Sequence, residues 1–155
     1  MHATLHFHGD LVGLLRLRND GGSLSYPVAR SASLKDVAEA CGVPHTEIER
    51  IVVDGGAGSF STRLAAVTTV DFFPPEPPLD PTAEHPLRPA LPRLAFLADA
   101  NVGRLAVLLR LLGLDCEKAG AGEDDAVIVA RAADEGRILL TRDRRMLRRR
   151  AATHG

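Results

Sequence analysis

The sequence is poor in the residues that mark several classes of protein. Of its 155 residues, two are cysteine and one is tyrosine, and tryptophan is absent. Cys41 and Cys116 lie far apart and have no cysteine neighbours, which excludes a disulfide framework and a zinc site of paired cysteines. A reducing compartment suits such a chain, so we expect a cytoplasmic protein.

Long apolar runs are also missing. No uninterrupted apolar stretch is long enough to cross a membrane, and no segment joins a basic start to a long apolar run as a secretory signal does. The apolar content of 45% is nevertheless that of a globular protein. We therefore expect one ordinary domain or two small ones with a buried core, and no association with a membrane.

A large excess of charge of one sign is missing too, because the formal net charge is only −1. The total hides an uneven distribution along the chain. Residues 1–74 carry 6 basic and 8 acidic side chains, whereas residues 93–155 carry 12 basic and 9 acidic ones. The second part is therefore the one that we expect to bind a polyanion.

Prolines are concentrated between these two parts, in the stretch FFPPEPPLDPTAEHPLRPALP of residues 72–92. Repeated prolines fix φ and remove backbone donors, which favours an extended path. This predicts a Pro-rich linker over residues 75–92, between a first domain over 1–74 and a second over 93–155. Each domain would be small, so packing of the two together or assembly into a homo-oligomer would stabilise both.

The first domain has the pattern of a mixed sheet with one helix. In HATLHFH, Ala3, Leu5 and Phe7 alternate with polar residues, which predicts a half-buried strand. SLSYPVA predicts its hairpin partner, and Ser33 caps a short helix with the sequence LKDVAEACG. EIERIVVDGG and AAVTTVDFF predict two further strands. This order of elements predicts an α+β fold, the ubiquitin-like β-grasp.

The second domain alternates strands with helices. RLAFLAD, DCEKAG and RILLT predict short strands, and GRLAVLLRLLG and DDAVIVARAADEG predict the helices between them. In the first helix, the leucine stripe from Leu105 to Leu112 is predicted to face the core. The alternation is typical of an α/β fold with a parallel sheet, in which ligands collect at the carboxyl ends of the strands.

Three aspartates carry the functional prediction. Asp99 and Asp143 each follow the carboxyl end of a predicted strand, and a parallel sheet would bring both to one edge. Asp125 lies in the first turn of the intervening helix, on the stripe that faces the sheet, whereas Asp124 shares a stripe with Arg131. Three carboxylates repel one another, and Mg²⁺ or Mn²⁺ relieves that repulsion through oxygen ligands. We therefore predict a metal site of Asp99, Asp125 and Asp143, where the ion activates water and braces a phosphate.

Segments of both domains resemble known families. GVPHTEIERIVVDG is similar to the ubiquitin-like module related to sulfur carriers, but the last strand continues through residues 71–74 where a carrier ends in a free Gly-Gly, so a carrier role is excluded. FLADANVGRLAVLLRLLGLD, DDAVIVARAADEGRILLTRDRRML and the closing THG resemble the PIN-like ribonuclease domain named for the C-terminal part of mut-seven-type exonucleases. In bacteria that domain commonly follows such a ubiquitin-like module.

The resemblance implies a metal-dependent ribonuclease that acts on RNA phosphodiester bonds, with Asp99, Asp125 and Asp143 as its catalytic metal ligands. The ubiquitin-like module implies a protein partner. One departure is the pair Asn101 and Val102, where the family usually has His-Leu. The family also typically continues beyond Gly155 with more of the sheet and a zinc ribbon, so we expect the PIN-like domain to be partial here.

Arginines surround the third aspartate. Arg142, Arg144 and Arg145 flank Asp143, and Arg104 lies in the helix after the first strand of this domain. The planar guanidinium donates hydrogen bonds in pairs to phosphate oxygens. We predict that these four arginines bind the phosphates of RNA.

Each of these features has a structural alternative. Asp143 could serve only as a helix cap, Asp124 and Asp125 could be ordinary acids of a first helical turn, and the arginines could be solvated surface. The alternative function is a protein without catalytic activity, in which the same two modules bind RNA or a protein partner. A metal site in the first strand is a further alternative to a plain polar surface, with three histidines on one strand face: His2, His6 and His8.

Overall fold

The computed structural model describes residues 2–28, 31–149, 151–152 and 154. By its internal contacts the chain divides into two compact units, Met1–Leu79 and Asp80–Gly155. In the part of the chain that the structure describes, every helix is too short or too polar to cross a membrane.

The first unit is a five-stranded mixed sheet with one α-helix. Its elements in chain order are β1 (His2–Phe7), β2 (Ser23–Pro27), α1 (Leu34–Cys41), β3 (Arg50–Val53), β4 (Gly56–Ala57) and β5 (Thr69–Phe73). The strands lie in the order β2-β1-β5-β3-β4, with β1 and β5 parallel in the centre and the other pairs antiparallel. This is the topology of the β-grasp, so the predicted fold of the first domain is confirmed, with β4 as an additional short strand.

Alternation of apolar residues forms the core of this unit. In β1, Ala3, Leu5 and Phe7 are all buried, and the ring of Phe7 stacks on that of Phe72 in β5 with 4.7 Å between centroids. In α1, the Ser33 side chain accepts the Asp36 N–H at the start of the helix, as predicted. The parallel pairing of β1 with β5 joins residues from opposite ends of the first unit.

Gly42 ends α1 in the left-handed conformation with a φ of 107°. A Cβ at this position would lie 2.9 Å from the carbonyl oxygen of Leu14 and 2.7 Å from a side-chain carbon of Arg16. Both the backbone conformation and the close approach therefore require glycine here.

The second unit is a three-stranded parallel sheet with helices. Its elements are β6 (Ala95–Ala98), α2 (Gly103–Leu111), β7 (Asp115–Lys118), α3 (Asp125–Asp134), β8 (Ile138–Leu140) and α4 (Arg144–Leu147). The strands lie in the order β7-β6-β8, so the first strand in sequence is the central one. The predicted α/β fold is confirmed, and the carboxyl ends of all three strands meet at one edge.

The core of the second unit lies between the sheet, α3 and α4. Leu97 and Leu139 come from the two adjacent strands β6 and β8, and the predicted stripe of α3 packs in the same cluster. This cluster fixes α3 and α4, the helices that begin beside the carboxyl edge of the sheet. The other buried residues in it are Ala119, Ile128, Val129, Ala132, Met146, Leu147 and Ala152.

The predicted leucine stripe of α2 is wrong except at Leu109, which is half-buried and packs against the core. Leu105, Leu108 and Leu112 are 41%, 57% and 77% exposed, and the buried residue of this helix is Ala106. Ala106 packs with Ala98 and Cys116 of the sheet. The helix is apolar around most of its circumference, so periodicity alone does not determine which stripe is buried. The small side chain of Ala106 allows the helix to approach the short strands closely.

Arg137 joins the beginnings of the strands at the opposite edge of this sheet. Its buried guanidinium donates to the carboxylates of Asp115 at 2.7 Å, Glu117 at 2.8 Å and Glu135 at 2.7 Å, and to the carbonyl oxygen of Phe96 at 3.2 Å. These hydrogen bonds raise the pKa of Arg137 and lower that of Asp115. The arginine therefore links β6, β7 and the end of α3.

Part of the proline-rich segment belongs to the second unit. The Leu91 N–H donates to the carbonyl oxygen of Pro81 at 2.8 Å, and the Leu91 side chain is buried. Residues 89–92 line a cavity of about 310 Å³ together with the last turn of α3, Leu139 and His154. The end of this segment is therefore packed against the second unit.

Candidate active site

The carboxyl edge of the parallel sheet brings Asp99 and Asp143 together through Thr141. Asp99 follows β6, and Thr141 and Asp143 follow the neighbouring strand β8. The Thr141 hydroxyl lies 2.9 Å from Asp99 Oδ2 and donates to it, and it accepts the backbone N–H of Asp143 at 3.0 Å. One threonine thus joins two acids that are far apart in the sequence.

Both acids also cap short helical turns. Asp99 precedes the 3-10 turn Ala100–Val102, and its Oδ1 accepts the Ala100 N–H. Asp143 precedes α4, and its Oδ1 accepts the Arg145 N–H at 2.8 Å. The structural role suggested for Asp143 as a helix cap is therefore confirmed. Capping uses one oxygen of Asp143, and a carboxylate has lone pairs for several further contacts.

Asp125 is the first residue of α3 and is half-buried. Its carboxylate makes no hydrogen bond within the described residues, so no direct contact connects it to Asp99 or Asp143. Asp124 caps α3 through the Ala126 N–H at 2.7 Å. Among the residues described, no group of three or more histidine, cysteine, aspartate or glutamate side chains lies close enough to hold a metal ion.

Thr141 and Asn101 are two polar residues of the site that the sequence reasoning did not identify. The Asn101 side chain donates to the Thr141 hydroxyl at 3.5 Å and accepts the Arg142 N–H at 3.3 Å. It thereby connects the turn after β6 to the turn after β8. The available signal was the position of Thr141 at the end of a buried strand, where the side chain of a parallel sheet reaches the ligand edge.

The four arginines that were predicted to bind RNA are exposed: Arg104, Arg142, Arg144 and Arg145. In the described part of the chain, no carboxylate forms an ion pair with any of them. By contrast, Arg131 and Arg137 of the same unit are held by carboxylates of Glu117, Glu123 and Glu135. Three of the four exposed arginines flank Asp143, so the free positive charge lies next to the two joined acids.

His8, one of the three histidines considered as a second metal site, contacts an aspartate and an aromatic ring. His8 Nε2 lies 2.8 Å from Asp71 Oδ1, and the His8 ring stacks on Phe73 with 4.2 Å between centroids. Among the described residues, the histidines of this face do not belong to a group of three or more side chains that could hold a metal ion. His8 is therefore paired with one carboxylate and one aromatic ring.

Two comparisons with protein families agree with the two units. The family described as Mut7-C ubiquitin matches residues 1–80, and the family described as Mut7-C RNAse domain matches residues 94–155. The chain belongs to the Mut7-C ubiquitin family. It carries the Mut7-C RNAse domain after that module, in the order that the sequence resemblance implied. The site joined by Thr141 lies inside the Mut7-C RNAse match.

A solved structure also resembles part of the chain. The crystal structure of SAMP1 from Haloferax volcanii is 16% identical, with a TM-score of 0.39, and the alignment covers 50% of this chain and 98% of SAMP1. No curated protein matches this chain significantly.

Proposed function

We propose that the protein is a metal-dependent ribonuclease whose active site is the carboxyl edge of the parallel sheet. The observation that supports this most strongly is the Thr141 hydroxyl, which connects Asp99 to the backbone of Asp143. The Mut7-C RNAse match adds the class of reaction. The proposed catalytic residues are Asp99, Asp143 and Asp125.

The donor set suits a hard divalent cation. Carboxylate and hydroxyl oxygens are ligands of Mg²⁺ and Mn²⁺. The thioether sulfur of Met146, which lies 3.5 Å from the Thr141 hydroxyl, is a soft donor that these ions do not favour. Mg²⁺ is commonly held by one or two carboxylates together with water and substrate phosphates. Two carboxylates at one edge of the sheet are therefore a donor set that would suit such an ion together with water and substrate phosphates, without a preformed cluster of three.

Asp125 is the third acid of the proposal. Its position in the first turn of α3 places a half-buried carboxylate at the start of a helix that packs on the same sheet. We propose that it contributes through a bound water or after a side-chain movement, since it has no hydrogen bond within the described residues to hold it elsewhere.

Several residues of the chain would have separate roles in phosphodiester hydrolysis. A bound Mg²⁺ or Mn²⁺ supplies an activated water and stabilises negative charge on the phosphate. Thr141 holds the Asp99 carboxylate in one orientation and fixes the backbone at Asp143. Asn101 holds the backbone at Arg142. Arg142, Arg144 and Arg145 would bind phosphates next to the scissile bond, because their guanidinium groups are exposed and unpaired within the described residues.

A cleavage assay tests this proposal. Single-stranded RNA is incubated with the full chain while Mg²⁺ or Mn²⁺ is titrated, and the variants Asp99→Asn and Asp143→Asn are compared with wild type. We expect cleavage that requires the metal and falls at least about 100-fold in both variants. Asp134→Asn, at the far end of α3, is the control and should cleave normally. Metal-independent cleavage, or full activity in either site variant, would contradict the proposal.

A second candidate function is binding without catalysis. The lack of a three-group metal cluster among the described residues is the observation that favours it. In this case the Mut7-C RNAse unit would bind RNA through its arginines, and the ubiquitin-like unit would bind a protein partner. The same assay separates the two functions, because binding alone gives a retarded RNA that stays intact at every metal concentration.

A further inference from the structure

Lys118 is the last residue of β7, which lies on the other side of β6 from β8. In the sheet register, Ala98 is paired with Lys118 on one side and with Leu140 on the other. Asp99 follows Ala98, and Thr141 follows Leu140. Along the carboxyl edge, the order is therefore Lys118, Asp99 and Thr141, with the acid of the central strand between the two outer strands.

The Lys118 side chain lies against the first residue of α2. A Cβ built on Gly103 would lie 3.0 Å from Cε and 3.1 Å from Nζ of Lys118. Gly103 directly follows the turn that Asp99 caps. Lys118 therefore lies at the same carboxyl edge of the sheet as the two joined acids, with its side chain on the face that α2 covers.

Lys118 is exposed, and within the described residues its ammonium has no carboxylate partner. At the opposite edge of the sheet the cations do have partners, as Arg93 pairs with Asp115 and Arg137 with three carboxylates. An exposed cation that is not paired with a carboxylate is available to a ligand of negative charge.

We propose that Lys118 binds a phosphate of the substrate on the side of Asp99 away from Arg142, Arg144 and Arg145. The inference rests on the proposed ribonuclease function and extends it. The RNA strand would cross the three strand ends, with one phosphate at Lys118 and others at Arg142, Arg144 and Arg145. Neighbouring strands are about 4.8 Å apart, so the outer strand ends are about 10 Å apart and are spanned by a few nucleotides. The substrate would thus be an extended single strand held on both sides of the scissile bond.

Gly103 provides an independent way to test the position of Lys118. Its φ of −57° and ψ of −28° are ordinary helical values, so the backbone does not require glycine here. Alanine favours the helix over glycine, but its Cβ would displace the lysine end group. Gly103→Ala therefore moves the positive charge without removing it.

The experiment measures RNA binding apart from cleavage. The affinity for a fluorescent single-stranded oligouridylate is determined by anisotropy in EDTA across a salt series, for wild type, Lys118→Ala, Lys118→Arg, Gly103→Ala and Arg110→Ala. The slope of log affinity against log salt should fall by about 0.7 in Lys118→Ala, which is the value for one phosphate contact to a single strand. Lys118→Arg should keep the slope, and Gly103→Ala should change it less than Lys118→Ala does, because the lysine end group has to move by only a few tenths of an ångström. Arg110→Ala, at the other end of α2, should leave it unchanged.

The outcomes separate this inference from the proposed function. Wild type that binds and cleaves RNA, with an unchanged slope in Lys118→Ala, would overturn the role of Lys118 and leave the ribonuclease proposal in place. An equal decrease of the salt slope in Lys118→Ala and Arg110→Ala would overturn it too, because it would indicate only a general loss of positive charge. Wild type that neither binds nor cleaves RNA would overturn both. Circular dichroism of each variant checks that the fold is intact.

Discussion

Thr141 Oγ1 lies 2.9 Å from Oδ2 of Asp99, between two neighbouring parallel strands. The same hydroxyl oxygen accepts the N–H of Asp143, so one side chain contacts Asp99 through its carboxylate and Asp143 through its backbone. Two short strands end here without a long loop to hold the acids. Together with the Asp99 N–H, which donates to the carbonyl oxygen of Leu140 at 2.9 Å, this hydroxyl joins the ends of β6 and β8.

Thr141→Val should weaken catalysis while the fold is retained. Valine has the shape of threonine but cannot donate to Asp99 or accept from Asp143. Partners that orient metal ligands typically contribute about 10–100-fold to metal affinity or activity, and we expect a loss in that range for RNA cleavage. Thr141→Ser keeps the hydroxyl and should stay within a few-fold of wild type. Equal activity of the valine and serine variants would show that the hydroxyl does not orient the acids.

Two adjacent aspartates at the start of α3 offer a matched pair. Asp124 caps the helix, and asparagine caps equally well, so Asp124→Asn should leave both stability and cleavage unchanged. Asp125→Asn should reduce metal-stimulated cleavage about 10-fold or more if Asp125 is the third acid. Cleavage rates at saturating Mg²⁺ compare the two variants. A loss in Asp124→Asn with none in Asp125→Asn would exchange the roles that we assign to them.

Arg137 should stabilise the second unit from the edge opposite the site. Arg137→Met removes hydrogen bonds to three carboxylates, and we expect about 1–2 kcal/mol of lost stability, since those carboxylates are partly exposed to water. In Arg137→Lys the ammonium cannot reproduce the planar fork of the guanidinium, so this variant should retain only part of that stability. Hydrogen exchange of the amides in β6 and β7 measures the effect. Unchanged protection of both strands in Arg137→Met would show that these ion pairs add no stability.

Cys41 should be unreactive in the folded protein. Burial raises the pKa of its thiol to about 12 from an ordinary value of 9.0, so almost none is thiolate at neutral pH. Iodoacetamide should therefore modify the Cys41 peptide far more slowly in the folded protein than in urea, as followed by mass spectrometry. Fast modification of the native protein would contradict this.

The same shift has a consequence for stability. Because the folded state holds the thiol proton more tightly than the unfolded state, the contribution of Cys41 is complete below pH 9 and is lost as the pH rises toward 12. Urea unfolding between pH 8 and pH 11 should show falling stability, and Cys41→Ala should reduce that pH dependence.

Local patterns predicted the first unit well because its buried positions alternate strictly. Ala3, Leu5 and Phe7 could be assigned to one strand face from spacing alone, and Ser33 and Gly42 mark both ends of α1. Neither signal depends on distant residues. The parallel pairing of β1 with β5 is different, because it joins the two ends of the unit and follows only from the order of all elements.

The second unit shows where local patterns fail. In α2 nearly every face is apolar, so the burial of Ala106 instead of Leu105 and Leu108 depends on how closely the helix approaches three short strands. The strand ends were predictable, and they place Asp99 and Asp143 at one edge. The bridging role of Thr141 was not predictable. Asp99 lies 42 residues before Thr141 in the sequence, with α2, β7, α3 and β8 between them, and only the folded sheet brings the two together.

The position of Asp125 relative to the other acids could not be derived from spacing either. Its stripe on α3 is buried as predicted through Ile128, Val129 and Ala132. A residue in the first turn, however, projects beyond the sheet, so its distance from the acids depends on the loop after β7. Periodicity identifies the face of a helix but not the height of the helix relative to the strand ends.

The central claim is that Asp99 and Asp143 hold a divalent cation, and isothermal calorimetry with Mn²⁺ tests it most directly. Asparagine can keep the capping hydrogen bonds of both acids, so Asp99→Asn and Asp143→Asn remove charge without removing the caps. We predict that the folded wild type binds Mn²⁺, that each variant binds it at least about 10-fold more weakly, and that Asp124→Asn binds it normally. Folded wild type that takes up no Mn²⁺, or equal affinity in all four proteins, would contradict the account.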